Sequence, residues 1–322
     1  MMQASVVIPN YNGMQYIEEC LKSLQLQESM EEIIVIDNAS TDGSVQLIKD
    51  KFPQVKLIEM ETNTGFSAAV NEGLYAAKSR YVILLNNDTT VEPGFVDALV
   101  KRIENKKKCF SVSAMLVSMH NPELIDDAGD YYNALGWAFT VGKGKSRYDY
   151  EKPRKIFASC AGAAIYDKEI LDKIGYFDEN HFAYLEDIDI GMRAKLYGYY
   201  NAYEPLAVCN HAGSASSGSR YNAFKTGLAA KNSVYIIYKN MPIVMILLNL
   251  PFLLAGFTIK TVFFVKKGYV KEYLSGLIKG IKLSCSKDGK QHKVPFSGKR
   301  WKHYVKVQME LWENLIRFFI NS

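Results

Sequence analysis

Ile33-Ile34-Val35-Ile36-Asp37-Asn38-Ala39-Ser40-Thr41-Asp42-Gly43-Ser44 is an apolar run that ends abruptly in carboxylate, amide and hydroxyl groups. A strand buried on both faces reads as such a run, and in open α/β sheets ligands collect at the carboxyl ends of the strands. The same construction recurs in Val82-Ile83-Leu84-Leu85-Asn86-Asn87-Asp88-Thr89. A third acidic group, Glu186-Asp187, lies in Tyr184-Leu185-Glu186-Asp187-Ile188-Asp189.

Working outward, strands are expected at Ser5–Pro9, Glu32–Asp37, Val55–Met60 and Tyr81–Asn86, and helices near Gly13–Leu26, Ser44–Phe52 and Phe66–Ala77. Short strands alternating with helices of this length indicate βαβ units and a mostly parallel sheet flanked by helices. Pro93 is expected just inside a fourth helix, where its missing N–H costs nothing. Further on, Ser111–Val117 and Asn201–Asn210 read as strands and Glu186–Tyr197 as a helix. Residues 126–145 carry four glycines among aromatics, which suggests loops and short strands. After His211 the run Ala212–Ser219 is rich in Gly and Ser and reads as flexible.

A chain of 322 residues, 48% hydrophobic and 23% charged, has the composition of an ordinary folded protein. Its five cysteines are scattered, with no CxxC pair, which argues against a disulfide framework and against a structural zinc site. A strand begins almost at the N-terminus, so a secretory signal is not expected. The net charge of +5 conceals an asymmetry: residues 260–306 hold thirteen Lys or Arg and two acids. Gly144-Lys145-Ser146 lacks the upstream glycine of a P-loop, since position 139 is Phe139. No GxGxxG follows the first strand and no GxSxG is present.

Five strings in order carry a resemblance: Val7-Ile8-Pro9-Asn10-Tyr11-Asn12, Ile36–Ser44, Asn63-Thr64-Gly65-Phe66-Ser67, Leu85-Asn86-Asn87-Asp88-Thr89 and Glu186-Asp187-Ile188-Asp189-Ile190-Gly191-Met192-Arg193. Over roughly residues 4–215 the chain resembles inverting family 2 glycosyltransferases of the GT-A fold, in the bacterial rhamnosyltransferase and galactofuranosyltransferase-like branch. The resemblance implies a Rossmann-like catalytic region, residues 1–230, and leaves a helical region, 231–322, apolar and then basic. It implies transfer of a sugar, L-rhamnose from dTDP-rhamnose first, to a hydroxyl of a polysaccharide or polyprenyl-linked acceptor. A UDP-sugar-dependent transferase of the same family is the alternative. A non-catalytic nucleotide-sugar-binding scaffold is a second, which the presence of both Asp88 and Asp187 argues against.

By the same resemblance Asp37 accepts an N–H from a pyrimidine, although an Asp there can also cap the following turn. Pro9, Asn10 and Asn12 frame the donor pocket. Asn63 and Gly65 open a helix whose N-terminus suits a polar or anionic ligand, while Phe66 is expected in the core. Asn86-Asn87-Asp88 occupies the position of the DxD motif. Its first Asp is replaced by Asn86, which weakens the donor contacts of that position. Asp88 remains as ligand for Mg²⁺ or Mn²⁺, with His211 as the second protein ligand. Asp187 is implied as the base that takes the acceptor's proton, with Glu186 supporting the acceptor or orienting the base. The helix N-terminus there would also keep Asp187 ionised. Asp189 and Arg193, four apart, read as an ion pair. On the acceptor side stand Asp126, Asp127, Gly129 and Trp137, the last offering either a ring face to a sugar or core packing. Cys160-Ala161-Gly162-Ala163 either lines the donor sugar or packs tightly.

Residues 242–259 are almost wholly apolar and reach the lower edge of a membrane span, but Asn249 and Pro251 suggest interfacial or broken helices. With the basic tract that follows, the expected partner is an anionic membrane surface, placing the protein at the cytoplasmic face of the cell membrane. A buried helical hairpin with a solvated basic face is the alternative. No recognised nucleic-acid-binding motif accompanies the charge.

Overall fold

A computed structural model describes residues 2–104, 106–213 and 221–321. The N-terminal part alternates β1 (Ala4–Asn10), α1 (Ile17–Leu24), β2 (Met30–Asp37), α2 (Ser44–Lys51), β3 (Lys56–Glu59), α3 (Phe66–Ala76) and β4 (Tyr81–Leu85). Then follow β5 (Thr89–Val91), α4 (Phe95–Ile103), β6 (Cys109–Ser118), β7 (Asn121–Asp127), β8 (Asp130–Tyr132), β9 (Ala138–Thr140), β10 (Arg154–Ile156) and β11 (Ala163–Asp167). The remainder is α5 (Lys168–Ile174), α6 (Glu186–Leu196), β12 (Tyr200–His211), α7 (Ala223–Asn240), α8 (Ile243–Lys267), α9 (Val270–Cys285), α10 (Lys287–Gln291) and α11 (Trp301–Asn321).

The apolar runs become strands buried on both faces, with Val6–Ile8, Ile34–Ile36 and Val82–Leu85 at 0% exposure. They pair in the order β3-β2-β1-β4, all parallel. Beyond β4 the ten-stranded sheet is mixed: β11 runs antiparallel to both β4 and β6, whereas β12 is parallel to β6. The helix-flanked α/β sheet expected from the sequence is therefore present, with its parallel character concentrated in the N-terminal half. No α-helix separates β6 from its sheet neighbour β11 among the described residues, so that connection lacks the usual helical crossover of a parallel pair.

Two local expectations are corrected. Pro93 lies in the turn ahead of α4, which starts at Phe95 after Gly94 at φ +81°. The apolar stretch is not broken at Pro251: α8 is continuous for 25 residues. Asn249 is buried and binds Met245 O within α8, and its amide exchanges hydrogen bonds with Gln308 (2.7 and 2.9 Å) and accepts one from Trp312 (3.1 Å) of α11. That polar residue ties two helices together. The expected Gly/Ser loop falls mostly on residues 214–220, outside the described ones.

One apolar cluster joins the sheet's back face to the C-terminal helices, bringing Met115, Phe157, Ile188 and Tyr203 together with Ile236, Met245, Leu253 and Leu311. α7 runs unbroken from Ala223 to Asn240, across residue 230. A buried ionic knot fixes it to α6. Lys239, 2% exposed, donates to Asp178 (2.6 Å) and Asp189 (2.9 Å), and Arg193 pairs with Asp189 at 3.0 Å. Removing one partner of a buried pair strands the other charge. Lys239→Met is expected to cost about 3–5 kcal/mol of unfolding free energy, read from urea denaturation, and a loss below about 1 kcal/mol would show that the knot does not hold α7 in place.

Candidate active site

A cleft of about 810 Å³ opens where β1 and β4 end, between the starts of α3, α6 and α7 and the end of β12. Pro9, Asn10, Asn63, Gly65, Asn86, Asn87, Asp88, Glu186, Asp187 and His211 all line it. Residues separated by up to two hundred positions thus share one cavity because their elements end at the same edge of the sheet.

Asn10 organises the donor-side floor. Its Nδ2 donates to Asp37 Oδ1 (2.8 Å) and Ser44 Oγ (2.9 Å), and Asn87 Nδ2 donates to Asn10 Oδ1 (2.8 Å). Asn38 does the same on the next wall: its Nδ2 donates to Asn63 Oδ1 (3.0 Å), and Thr64 N donates to Asn38 Oδ1 (2.9 Å). Gly65, at φ +89°, lets the chain pass under Phe182; a Cβ there would lie 2.6 Å from the Phe182 ring. Phe66, expected in the core, packs against it and also lines the cleft.

Six expected site residues do not line this cleft, Asp126 and Gly129 among them. Asp37 is 2% exposed, and its second oxygen accepts from Ser40 N (2.9 Å), so its carboxylate holds Asn10 and the following turn rather than facing a base. Asn12, at φ +50°, accepts from Thr41 N (2.9 Å) on the outer side of that turn. Trp137 is not aimed at an acceptor. Its Nε1 donates to Gly256 O of α8 (3.2 Å), its ring meets Phe318 of α11 edge-on, and it serves as packing. Asp127 is buried behind the cleft, where its carboxylate accepts the Gly129 N–H.

On the metal side, β12 pairs with β5 so that His211 stands opposite Thr89, next to Asp88. His211 Nε2 lies 3.5 Å from Asp88 Oδ1, and Nδ1 lies 2.6 Å from Asp126 Oδ2. Against the cost of burial, these two carboxylates raise the His211 pKa to about 9. Asp126 is half-buried, which by itself would raise it, yet hydrogen bonds from His211 and Lys143 lower it to about 2. An imidazole held at Nδ1 by a carboxylate presents Nε2 to whatever sits beside Asp88, an arrangement common around divalent metals. The oxygen and nitrogen donors at Asp88 and His211 suit Mg²⁺ or Mn²⁺. Asp127, Asp130 and Cys160 form another compact group, with ligand atoms within 4.8 Å of one another. Burial first, and nearby acids second, push Asp127 up to about 7 and Asp130 and Cys160 well above their ordinary values. A cation would have to displace protons from three buried groups there, against one from His211, so this group is the poorer metal site.

On the chemical side, burial raises Asp187 to about 6 even though the Ile188 N–H hydrogen-bonds its Oδ1 at 2.7 Å. Burial and the neighbouring Asp187 charge raise Glu186 to about 8, and Glu186 Oε2 has no partner among the described residues. The helix N-terminus favours the ionised form of Asp187, as expected, and desolvation acts against it, so the carboxylate titrates closer to neutrality than an exposed one. Sequence reading missed the upper wall, which Phe182, Tyr184, Phe224 and Lys225 build. These residues belong to no motif and reach the cleft only through the fold.

The profile of the family described as "Glycosyl transferase family 2" matches residues 5–175. The chain is 26% identical over 238 residues to N-acetylglucosaminyl-diphospho-decaprenol L-rhamnosyltransferase of Mycobacterium tuberculosis, covering 66% of this chain and 77% of that protein. It is 28% identical over 210 residues to poly-beta-1,6-N-acetyl-D-glucosamine synthase of Staphylococcus epidermidis, covering 64% of this chain but only 48% of that one. Among solved structures it resembles GalNAc-T7 with UDP, GalNAc and Mn²⁺ (TM-score 0.62, 17% identity, 74% of this chain and 48% of that chain). It also resembles the mannosyltransferase PcManGT of Pyrobaculum calidifontis with GDP-Man and Mn²⁺ (TM-score 0.53, 17% identity, 96% and 86%). These two likenesses speak to the fold. Sharing the cleft, the ordered motifs and the family profile over more than half its length, the chain is a GT-A-fold glycosyltransferase of family 2.

Proposed function

We propose that this enzyme inverts the anomeric centre of a nucleoside-diphosphate sugar, L-rhamnose from dTDP-rhamnose first, as it transfers the sugar to a hydroxyl of a lipid-linked glycan. One observation carries the reading: Asp88, His211 and Asp187, distant in sequence, line one cleft. The donor enters along Pro9, Asn10, Asn63 and Asn86–Asp88. Asp37 acts through Asn10, holding the floor in place. A divalent cation at Asp88 and His211 would neutralise charge on the departing diphosphate. Asp126 holds the His211 ring in the orientation that this requires.

Asp187 removes the proton from the attacking hydroxyl. A base titrating near 6 is ionised at neutral pH yet basic enough to accept that proton. Glu186, carrying its own proton at neutrality, donates to an acceptor oxygen and keeps a second negative charge away from Asp187. The rhamnosyl reading is supported by the mycobacterial relative's name and by small apolar groups at Ala161, Gly162 and Ala183, which accommodate the methyl of a 6-deoxy sugar. Calorimetric affinity for dTDP-rhamnose against UDP-galactose with Mn²⁺ tests this choice, and tighter binding of the UDP-sugar overturns it.

The enzyme works at the cytoplasmic face of the cell membrane, where its acceptor is anchored. α8 is long and apolar enough to cross a membrane, yet only 22% of its apolar window is buried. Met245, Asn249, Leu253 and Gly256 face the protein, while Val244, Leu247, Leu248, Leu254 and Ile259 face outward. Amphipathic α9 adds exposed Leu274, Ile278 and Ile281 beside Lys271, Lys279 and Lys282. An apolar band with flanking cations suits an anionic bilayer surface.

Three outcomes are expected. Asp187→Asn retains nucleotide binding but loses about 10²–10⁴-fold in transfer rate, and in the wild type the rate falls as pH drops through about 6, where the base protonates. Unchanged turnover in Asp187→Asn rules out this base. Asp126→Asn weakens Mn²⁺ binding by about 10–100-fold, read by electron paramagnetic resonance of free Mn²⁺, and wild-type affinity removes Asp126 from the site. Leu247→Glu with Leu254→Glu leaves the melting temperature near wild type but lowers sedimentation with phosphatidylglycerol vesicles; undiminished sedimentation rules out α8 as the contact.

A further inference from the structure

The turn that leads into α6 is strained. Phe182, Tyr184 and Leu185 stand at φ +63°, +68° and +67°, a left-handed backbone that side-chain-bearing residues rarely adopt. Such a conformation persists only where its surroundings over-determine it. Here the carbonyls of residues 180–184 are all held. Lys231 Nζ takes Asn180 O (2.6 Å), and Ser67 N of α3 takes Phe182 O (3.1 Å). One side chain takes three of them: Asn232 Nδ2 donates to His181 O (3.0 Å), Ala183 O (2.9 Å) and Tyr184 O (2.7 Å). Asn232 lies on α7, has no exposed surface and does not line the cleft.

We propose that Asn232 is a positioning residue: by gathering these carbonyls it holds the left-handed turn that aims Glu186 and Asp187 into the cleft. The inference rests on the reading of Asp187 as the base. Relaxation of Tyr184 and Leu185 to right-handed backbone would let α6 begin earlier and swing its first turn, moving both carboxyls while leaving the donor floor around Asn10 untouched. α7 thereby grips the catalytic helix at two places, the turn through Asn232 and the first helical turn through Lys239 and Asn240 to Asp189.

The test uses the full chain as wild type, Asn232→Ala, the isosteric Asn232→Asp and the double variant Asn232→Ala with Leu185→Gly. Three quantities are measured: amide hydrogen exchange across 181–188, affinity for dTDP and UDP with Mn²⁺, and turnover of dTDP-rhamnose and UDP-galactose. Both single variants should speed exchange in 181–188 about tenfold or more while the sheet exchanges as before. Turnover should fall about a hundredfold, because a misplacement of order 1 Å at the reacting groups costs that much, with nucleotide affinity unchanged. Leu185→Gly should restore much of the loss, since glycine takes a positive φ without penalty. Wild-type exchange in 181–188, wild-type turnover, or a fall in nucleotide affinity matching the fall in turnover overturns the proposal. If Asn232→Ala does not fold, failure of Leu185→Gly to recover the fold overturns it as well. Asp187→Asn separates the two readings: full turnover there defeats the base assignment and leaves hydrogen exchange to decide on Asn232.

Discussion

Asp189 has no exposed surface, and a carboxylate in that position must be neutralised where it sits. Arg193 does so from the next turn of α6, Lys239 from α7, and the Asn240 amide donates to the other oxygen at 2.7 Å. Lys239 also donates to Asp178, so four charged groups and one amide from three parts of the chain share one buried knot. The pair expected at Asp189 and Arg193 is there, but it is only one arm of that knot. Because its partners come from different elements, the knot determines where α6 lies relative to α7, and therefore where the site acids point.

The same helix turn holds acids in opposite states. Asp189 is surrounded by cations that hold its pKa far below the usual range, although burial alone would raise it. Two and three residues earlier, Asp187 and Glu186 are desolvated, and both are raised. Identical chemistry is thus divided by environment into a structural anion and a pair raised toward neutrality. On the opposite wall, His211 and Asp126 form an ion pair that orients an imidazole toward Asp88.

The C-terminal helices do two different kinds of work. Inward, the Lys239, Asn240 and Asn232 side chains of α7 hold α6 and the turn before it, and α11 locks α8 through Asn249 and Gln308. Outward, α8 and α9 expose apolar side chains that no other described element covers. A region whose composition alone reads as an anchor is also part of the scaffold of the catalytic centre, so its removal would disturb the cleft along with any membrane contact.

The amino-acid sequence alone determined the α/β class, the four parallel strands and the order of motifs, because an apolar run ending in Asp37 or Asp88 reads as a buried strand whatever surrounds it. It also marked Asp88, Glu186, Asp187 and His211 as residues of one site, since those motifs recur in a family. Tertiary structure decided the rest. Asp37 turned inward because Asn10 and Ser40 had donors to satisfy, and Trp137 went to packing because Gly256 and Phe318 met it there. Asn232 and Phe224 reached the site from a helix with no motif. Side-chain direction, burial and the pKa of an acid depend on neighbours remote in the chain, and local sequence carries no record of those neighbours.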